Sequence, residues 1–187
     1  MALTDDAHTL IRNHFFDKKK SLAIDATCGN GHDIQFLAEL GFSKVMGFDI
    51  QNIAIEACRE KIKSADLKNV ELILDGHQSL ERYIRTPVDC VMFNFGYLPN
   101  GDKSLTTTTD TSIAALTAAT KLLNQEGLIS LMCYPGHPSG KSETQAIKHW
   151  FSTLNHQWSV ETHLAVSPKP SAPILFTLTR QKPKPTS

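Results

Sequence analysis

Short apolar runs alternate with amphipathic stretches along almost the whole chain. Leu22–Asp25, Lys44–Asp49, Val70–Asp75, Val88–Asn94 and Leu128–Tyr134 have strand length and apolar character. Val88–Asn94 is an almost unbroken apolar run, the pattern of a strand buried on both faces. Between these runs the apolar positions return with helical spacing. A first helix is expected over Thr4–Phe16, with Leu3, Ala7, Leu10, Ile11 and Phe15 on one face. Further helices are expected over His32–Leu40, stopped by Gly41, and over Asn52–Ala65, with Ile53, Ala57 and Ile62 facing inward. A short helix follows around Gln78–Ile84. The last two are Thr111–Leu123, with Asp110 as N-cap, and Ser142–Leu154.

The loop Gly96–Thr109 carries Gly, Pro, Asn and four consecutive threonines. Two closing strands, Ser159–Val166 and Ile174–Arg180, flank the Pro-rich loop Ser167–Pro173, and the tail from Gln181 reads as disordered. Alternation of strand and helix followed by two successive strands predicts an α/β fold. It is a doubly wound, Rossmann-like seven-stranded sheet, mostly parallel, with one antiparallel strand near the C-terminus. With 187 residues and no linker or repeat, a single domain over 1–187 is expected, residues 1–20 forming a helical lead-in.

Charge narrows the partners. Nineteen basic and nineteen acidic residues give a formal net charge of zero, so nucleic acid would have to be met by a local patch, not a global basic field. The basic clusters, Lys18–Lys20 and the tail lysines Lys182 and Lys184, read as solvated surface or frayed end. Cys28, Cys58, Cys90 and Cys133 are scattered without a C-x-x-C pair, which suits a reducing compartment. With no signal peptide or membrane-length apolar stretch, the expectation is a cytoplasmic protein without a membrane partner.

The most informative segment is Ala23–Asp33. An apolar run ends in Asp25, a Gly-x-Gly turn follows at Gly29 and Gly31, and a helix begins at His32. In a parallel α/β sheet that arrangement lets the backbone approach a nucleotide. A dinucleotide fingerprint wants a third small residue three places after the turn, where this chain has Ile34. No Gly-Lys-Ser/Thr follows, so a Walker A loop is absent. Asp49, ending the second strand, can accept bonds from both ribose hydroxyls. Adenosine without a pyrophosphate fits, and S-adenosylmethionine is the common cofactor of that description.

On the acceptor side, Asn94 ends the fourth strand and Phe95, Gly96 and Tyr97 follow. A carboxamide oxygen there can accept a hydrogen bond from an incoming amine, and an aromatic ring can stack on a base. The same residues would also serve as a turn cap and a loop packing residue. A pyrimidine C5 reaction would need a thiolate, and Cys133 lies inside an apolar strand, so amine methylation is the better fit. His32, His77 and His137 all follow strand ends on the same edge. His137 can be read as a base for a substrate ammonium or as a loop residue bonded to backbone. The histidines lack metal-ligand spacing, and no metal is expected.

The strand-end series Asp25, Gly29/Gly31, Asp49 and Asp75 resembles the motifs of class I methyltransferases. By that resemblance Asp25 orients the turn and the methionine amino group, Asp49 holds the ribose, and Asp75-Gly76-His77 borders the adenine. Asn94-Phe-Gly-Tyr97 is similar to the Asn/Asp-Pro-Pro-aromatic segment of amino-directed enzymes, without the prolines. Taken with Ala7-His8, Gly-Asn-Gly-His-Asp33, Phe48-Asp-Ile-Gln51, Asn94–Pro99, Gly101-Asp-Lys103 and Tyr134–Glu143, the chain closely resembles the bacterial group named putative rRNA methylases, a group associated with methylation of 5-aminomethyluridine at the tRNA wobble position. The resemblance implies a class I fold, S-adenosylmethionine, and a tRNA anticodon partner whose 5-aminomethyl(-2-thio)uridine amine is methylated. It also implies a homodimer and no metal. Carried over position by position, it assigns cofactor binding to Asp25, Thr27, Gly29, Asn30, Gly31, His32, Asp33, Asp49, Ile50, Gln51, Asp75, Gly76, His77 and Asn94. Catalysis is assigned to Asn94, Tyr97 and His137, with His137 or Asp33 as base. Ribosomal RNA, a small molecule or a protein are alternative acceptors, and a nicotinamide oxidoreductase is disfavoured by Ile34.

Overall fold

The computed structural model describes residues 3–96, 106–165, 169 and 171–181. The expectations for Tyr97 to Lys103, the middle of the Pro-rich loop and the tail beyond Gln181 lie outside these residues. The elements run α1 Leu3–His14, β1 Leu22–Asp25, α2 His32–Glu39, β2 Lys44–Asp49, α3 Asn52–Ser64 and β3 Val70–Leu74. A 3₁₀ turn, His77–Ser79, leads into α4 Leu80–Tyr83. There follow β4 Val88–Asn94, α5 Thr109–Leu122, β5 Leu123–Cys133, α6 Pro138–Thr153, β6 Trp158–Leu164 and β7 Ile174–Arg180.

The strands form one seven-stranded sheet in the order β3-β2-β1-β4-β5-β7-β6. β7 is antiparallel to both neighbours, and all other pairings are parallel. The expected sheet is therefore present, its reversed strand inserted between β5 and β6. Alternate residues of each strand feed two cores. Cys90 and Met92 of β4 face Ile11 and Phe15 of the lead-in, Ile34 and Leu37 of α2, and Ile55 and Cys58 of α3. Val91 and Phe93 face Leu80 of α4, Ala115 and Leu116 of α5 and Ile147 of α6. Three helices on each face bury the sheet on both sides, which is why β4 is apolar along its whole length.

Three local expectations are corrected. In α3 Ile62 packs against the core as expected, but Ile53 is 64% exposed, and the fully buried positions are Ala54, Ile55 and Cys58. Cys58 packs under the glycine turn, its thiol donating to the Gly29 carbonyl at 3.4 Å. The cap of α5 is Thr108, not Asp110: its Oγ1 accepts from the Thr111 N–H, and the Thr111 hydroxyl oxygen accepts from the Thr108 N–H at 3.2 Å. α6 begins at Pro138, not Ser142. His137 caps it through Nδ1, which accepts the Gly140 N–H at 3.0 Å, and Pro138 sits where a missing N–H costs nothing.

Candidate active site

In the order β3-β2-β1-β4-β5 the chain leaves β1 toward one edge and returns beside it as β4. Such a reversal opens a crevice at the carboxyl ends of the strands. A cleft of about 840 Å³ lies there, within the size range of small-molecule sites. The β1–α2 turn, the ends of β2 and β4, the N-terminus of α5 and the β5–α6 loop all contribute to its walls.

The β1–α2 turn is held from three directions. The Ala26 N–H donates to Met92 O and the Cys28 N–H to Phe48 O, both at 2.9 Å, tying it to β4 and β2. The Gly31 N–H closes it on Cys28 O at 2.7 Å. Gly29 and Gly31 have φ of 46° and 75°, left-handed values that favour glycine. Asp49 reaches across from β2: Oδ2 accepts the Gly29 N–H at 3.0 Å and Oδ1 the Gln51 N–H at 2.9 Å. Burial raises its pKa against those two bonds. A carboxylate offers about four lone-pair sites, so Asp49 retains acceptors for a diol in the cleft.

Of the residues expected to hold the cofactor, Thr27, Gly29, Asn30, His32, Asp33, Asp49, Ile50, Gln51, His77 and Asn94 line the cleft. Asp25, Gly31, Asp75 and Gly76 do not. Asp25 is wholly enclosed; Oδ1 accepts the Thr27 N–H at 3.3 Å, and Oδ2 has no partner among the described residues. Desolvation, then the charge of Asp33, pushes its carboxyl well above the usual range. A group so buried shapes the turn and does not reach a ligand, so its expected contact with the methionine amino group has no access route. Gly31 turns away, and a Cβ there would meet Cys58 Sγ at 3.1 Å. The Asp75 carboxylate is occupied by the Gly76 N–H and the hydroxyls of Ser79 and Tyr83.

His77 lies against the edges of Phe93 and Phe95. Burial lowers its pKa to about 4, keeping the ring neutral, and its buried Nε2 has no partner among the described residues. A buried polar atom left over in a ligand-sized cleft marks a place for a ligand group. With the left-handed turn and the spare acceptors of Asp49, it fits a nucleoside with an attached amino acid, as in S-adenosylmethionine. His32 is fixed from outside by Lys61, whose Nζ lies 2.9 Å from Nδ1.

The residue expected to face the acceptor, Asn94, is held at two points. Its backbone N–H donates to Thr27 Oγ1 at 2.7 Å, and its Nδ2 donates to Asp33 Oδ2 at 2.5 Å. His137 also lines the cleft, with its Nδ1 lone pair spent on the α6 cap and Ser139 Oγ 2.9 Å away. In the neutral ring the proton then sits on Nε2, which suits donation better than proton capture. His32, His77 and His137 share the cleft, yet the described residues contain no group of three side chains that could hold a metal.

Residues that sequence patterns did not single out for the site complete the lining. They include Thr4, Cys28, Gln78, Phe95, Thr106, Thr107, Thr108, Thr111, Tyr134 and Ser171. Cys28, not Cys133, is the cysteine at the site. A bond from Cys58 and burial drive its thiol far up, and burial pushes Cys133 up to about 12, so neither supplies a thiolate. Among the described residues no helix is long and apolar enough to cross a membrane.

Comparison with known proteins agrees with this geometry. Residues 45–179 match the family model described as "Putative rRNA methylase". The chain is 32% identical over 178 residues to a chloroplastic tRNA (mnm(5)s(2)U34)-methyltransferase of Arabidopsis thaliana, covering 88% of this chain. It spans 65% of that relative's length, just under two thirds. A crystal structure of a putative rRNA methylase from Clostridium thermocellum superposes with a TM-score of 0.90 at 36% identity, over 97% of this chain and 98% of that one. A putative methyltransferase from Streptococcus mutans, crystallised with SAH, gives 0.81 at 32% identity over 92% and 97% of the two chains. The chain belongs to the rRNA methylase family of S-adenosylmethionine-dependent methyltransferases.

Proposed function

We propose that the chain methylates the exocyclic amine of 5-aminomethyl(-2-thio)uridine at the wobble position of tRNA. The observation that carries this reading is Asn94. Its backbone is tied to Thr27 and its carboxamide nitrogen to Asp33, while its oxygen receives no bond from any described residue. An acceptor on the cleft wall suits an amine N–H, because it relieves the positive charge that grows on nitrogen as the amine attacks. The Arabidopsis relative, named for mnm(5)s(2)U34, supports the same acceptor.

S-adenosylmethionine supplies an electrophilic methyl group, so the chain's task is alignment. Asp49, Gln51 and the Gly29 turn would hold the nucleoside; His77, Gln78 and Ile50 would border its base; Thr27, Asn30, His32 and Asp33 would surround the amino-acid end. The amine must reach this wall deprotonated. With Nδ1 of His137 committed to the α6 cap and both oxygens of Asp33 already accepting hydrogen bonds, the proton is proposed to leave to solvent before the amine is aligned. Tyr97 is proposed to stack on the uracil ring.

A neutral chain offers RNA no global attraction, and we infer that a homodimer joins local patches into one docking surface, in the cytoplasm. The buried free cysteines suit that reducing compartment. The deciding experiment is labelled methyl transfer to total tRNA, ribosomal RNA and protein, followed by nucleoside mass analysis. Label in 5-methylaminomethyluridine of tRNA is expected. Label confined to ribosomal RNA, or to protein, would overturn the wobble assignment.

A further inference from the structure

The lead-in helix α1 sends one side chain to the site. His8 Nε2 lies 2.6 Å from Asp33 Oδ1, and the other oxygen of the same carboxylate accepts Asn94 Nδ2 at 2.5 Å. Both bonds are short, and both sit where water is scarce: the side chain of Asp33 is 8% exposed and that of His8 21%. The His8 ring is itself held flat against Phe36 of α2, centroids 3.8 Å apart and planes within 6°. Behind His8, α1 is anchored by Leu3 and Ala7 on Met132 and Leu175, and by Ile11 in the core beneath α2.

A carboxylate only accepts, so Asp33 dictates which end of the Asn94 carboxamide faces it. The nitrogen must point to Asp33, and the oxygen is left for the cleft. Asp33 can impose this only if it is itself immobile, and His8 supplies that by donating to its second oxygen. Asp33 sits in the first turn of α2 and lines the cleft, and His8 holds the oxygen that Asn94 does not.

We propose that His8 is a positioning residue: through Asp33 it locks the Asn94 carboxamide with its oxygen turned to the acceptor amine. This rests on the reading of Asn94 given above. The orientation of a neutral amide is otherwise degenerate, since rotation by half a turn about χ2 exchanges donor for acceptor at little steric cost. An Asn94 turned the wrong way would point N–H groups at an amine that is becoming positive. Locking the amide therefore acts more strongly on turnover than on cofactor binding.

Two variants separate the hydrogen bond from the packing. His8→Phe keeps a ring on Phe36 and removes the donor; His8→Gln loses the ring and keeps an N–H near the position of Nε2. The assays are kcat and KM on tRNA bearing the 5-aminomethyl group, the S-adenosylmethionine dissociation constant by calorimetry, and the side-chain amide signals of Asn94 by ¹⁵N NMR, assigned with Asn94→Asp. In His8→Phe, kcat is expected to fall roughly 10- to 100-fold, the loss typical of a hydrogen bond to a charged group, with a clearly smaller change in the cofactor constant. The Asn94 amide protons should lose their downfield shift and exchange faster with water. In His8→Gln most of the kcat and the amide signature should return.

The opposite order, an active His8→Phe and an impaired His8→Gln, would show that His8 only packs and would overturn the proposal. Unchanged Asn94 amide signals in His8→Phe would do the same. If the wild-type chain transfers no methyl group to this tRNA, the functional reading fails by itself, and the amide signals still decide whether His8 fixes Asn94.

Discussion

Gly47 of β2 lies directly against Ile34 of α2. A Cβ at that position would fall well inside contact distance of the Ile34 δ-methyl and 3.0 Å from Leu72 Cδ2. Ile34 is fully buried, so its methyl has no open space to swing into. Overpacking of this kind costs about 1–3 kcal/mol, and Gly47→Ala should be destabilised by that amount. Ile34→Val removes the clashing methyl; alone it should cost about 0.5–1.5 kcal/mol for the small cavity it leaves. Together the two changes should partly compensate, since the Leu72 contact remains, giving a favourable coupling of about 1–2 kcal/mol. Urea unfolding of the four proteins measures it, provided the slopes agree. A coupling within about 0.3 kcal/mol of zero would refute the claim that these two residues meet. α2 carries His32 and Asp33 in its first turn, so Gly47→Ala should also weaken cofactor binding, and Ile34→Val should restore it.

Asp49→Ala should raise the cofactor dissociation constant roughly 10- to 100-fold, the cost of losing bonds to a charged acceptor, whereas Asn94→Ala should mainly lower kcat; equal loss of cofactor affinity in both would contradict that division. His77 takes up a proton near pH 6.5 when unfolded but only near pH 4 when folded. Between those values the unfolded chain binds more protons, so stability falls as pH falls, by up to about 1.4 kcal/mol per unit. His77→Gln should show a correspondingly shallower fall without cofactor, and parallel stability curves would refute the assignment. Thr108→Ala breaks the capping box of α5 and should cost about 1 kcal/mol in thermal or denaturant unfolding.

The sheet was legible because both of its faces are covered. Burial on both faces gives largely apolar segments, and β1, β2, β4 and β7 span the expected residues. Helix ends were less legible because residue type alone does not choose among neighbouring candidate caps. Asp110 is a good cap by type, but Thr108 holds the position, since Thr111 returns a reciprocal bond that an aspartate two residues later cannot receive. His137 is no standard cap at all, and its bond to Gly140 moved the start of α6 four residues earlier than amphipathic spacing indicated.

Ile34 illustrates how a correct reading of chemistry can rest on an incomplete picture of packing. A bulky residue three places after the turn spoke against a pyrophosphate fingerprint, because that position normally lets helix and strand approach closely. The approach is nonetheless close, and the small residue that permits it stands on the strand, at Gly47, not on the helix. The acceptor site has the same character. Asn94 could be singled out from its place at the end of a buried strand, since that depends only on nearby residues. Which of its two carboxamide ends faces the cleft depends on Asp33, 61 positions away, and the second oxygen of Asp33 is held by His8, 25 positions before it. All three residues belong to the motif set of the resemblance, but their separation in sequence gives no sign that they touch. A helix that precedes the nucleotide-binding unit thus contributes to the chemistry through two hydrogen bonds, and only the folded arrangement brings those three side chains into one line.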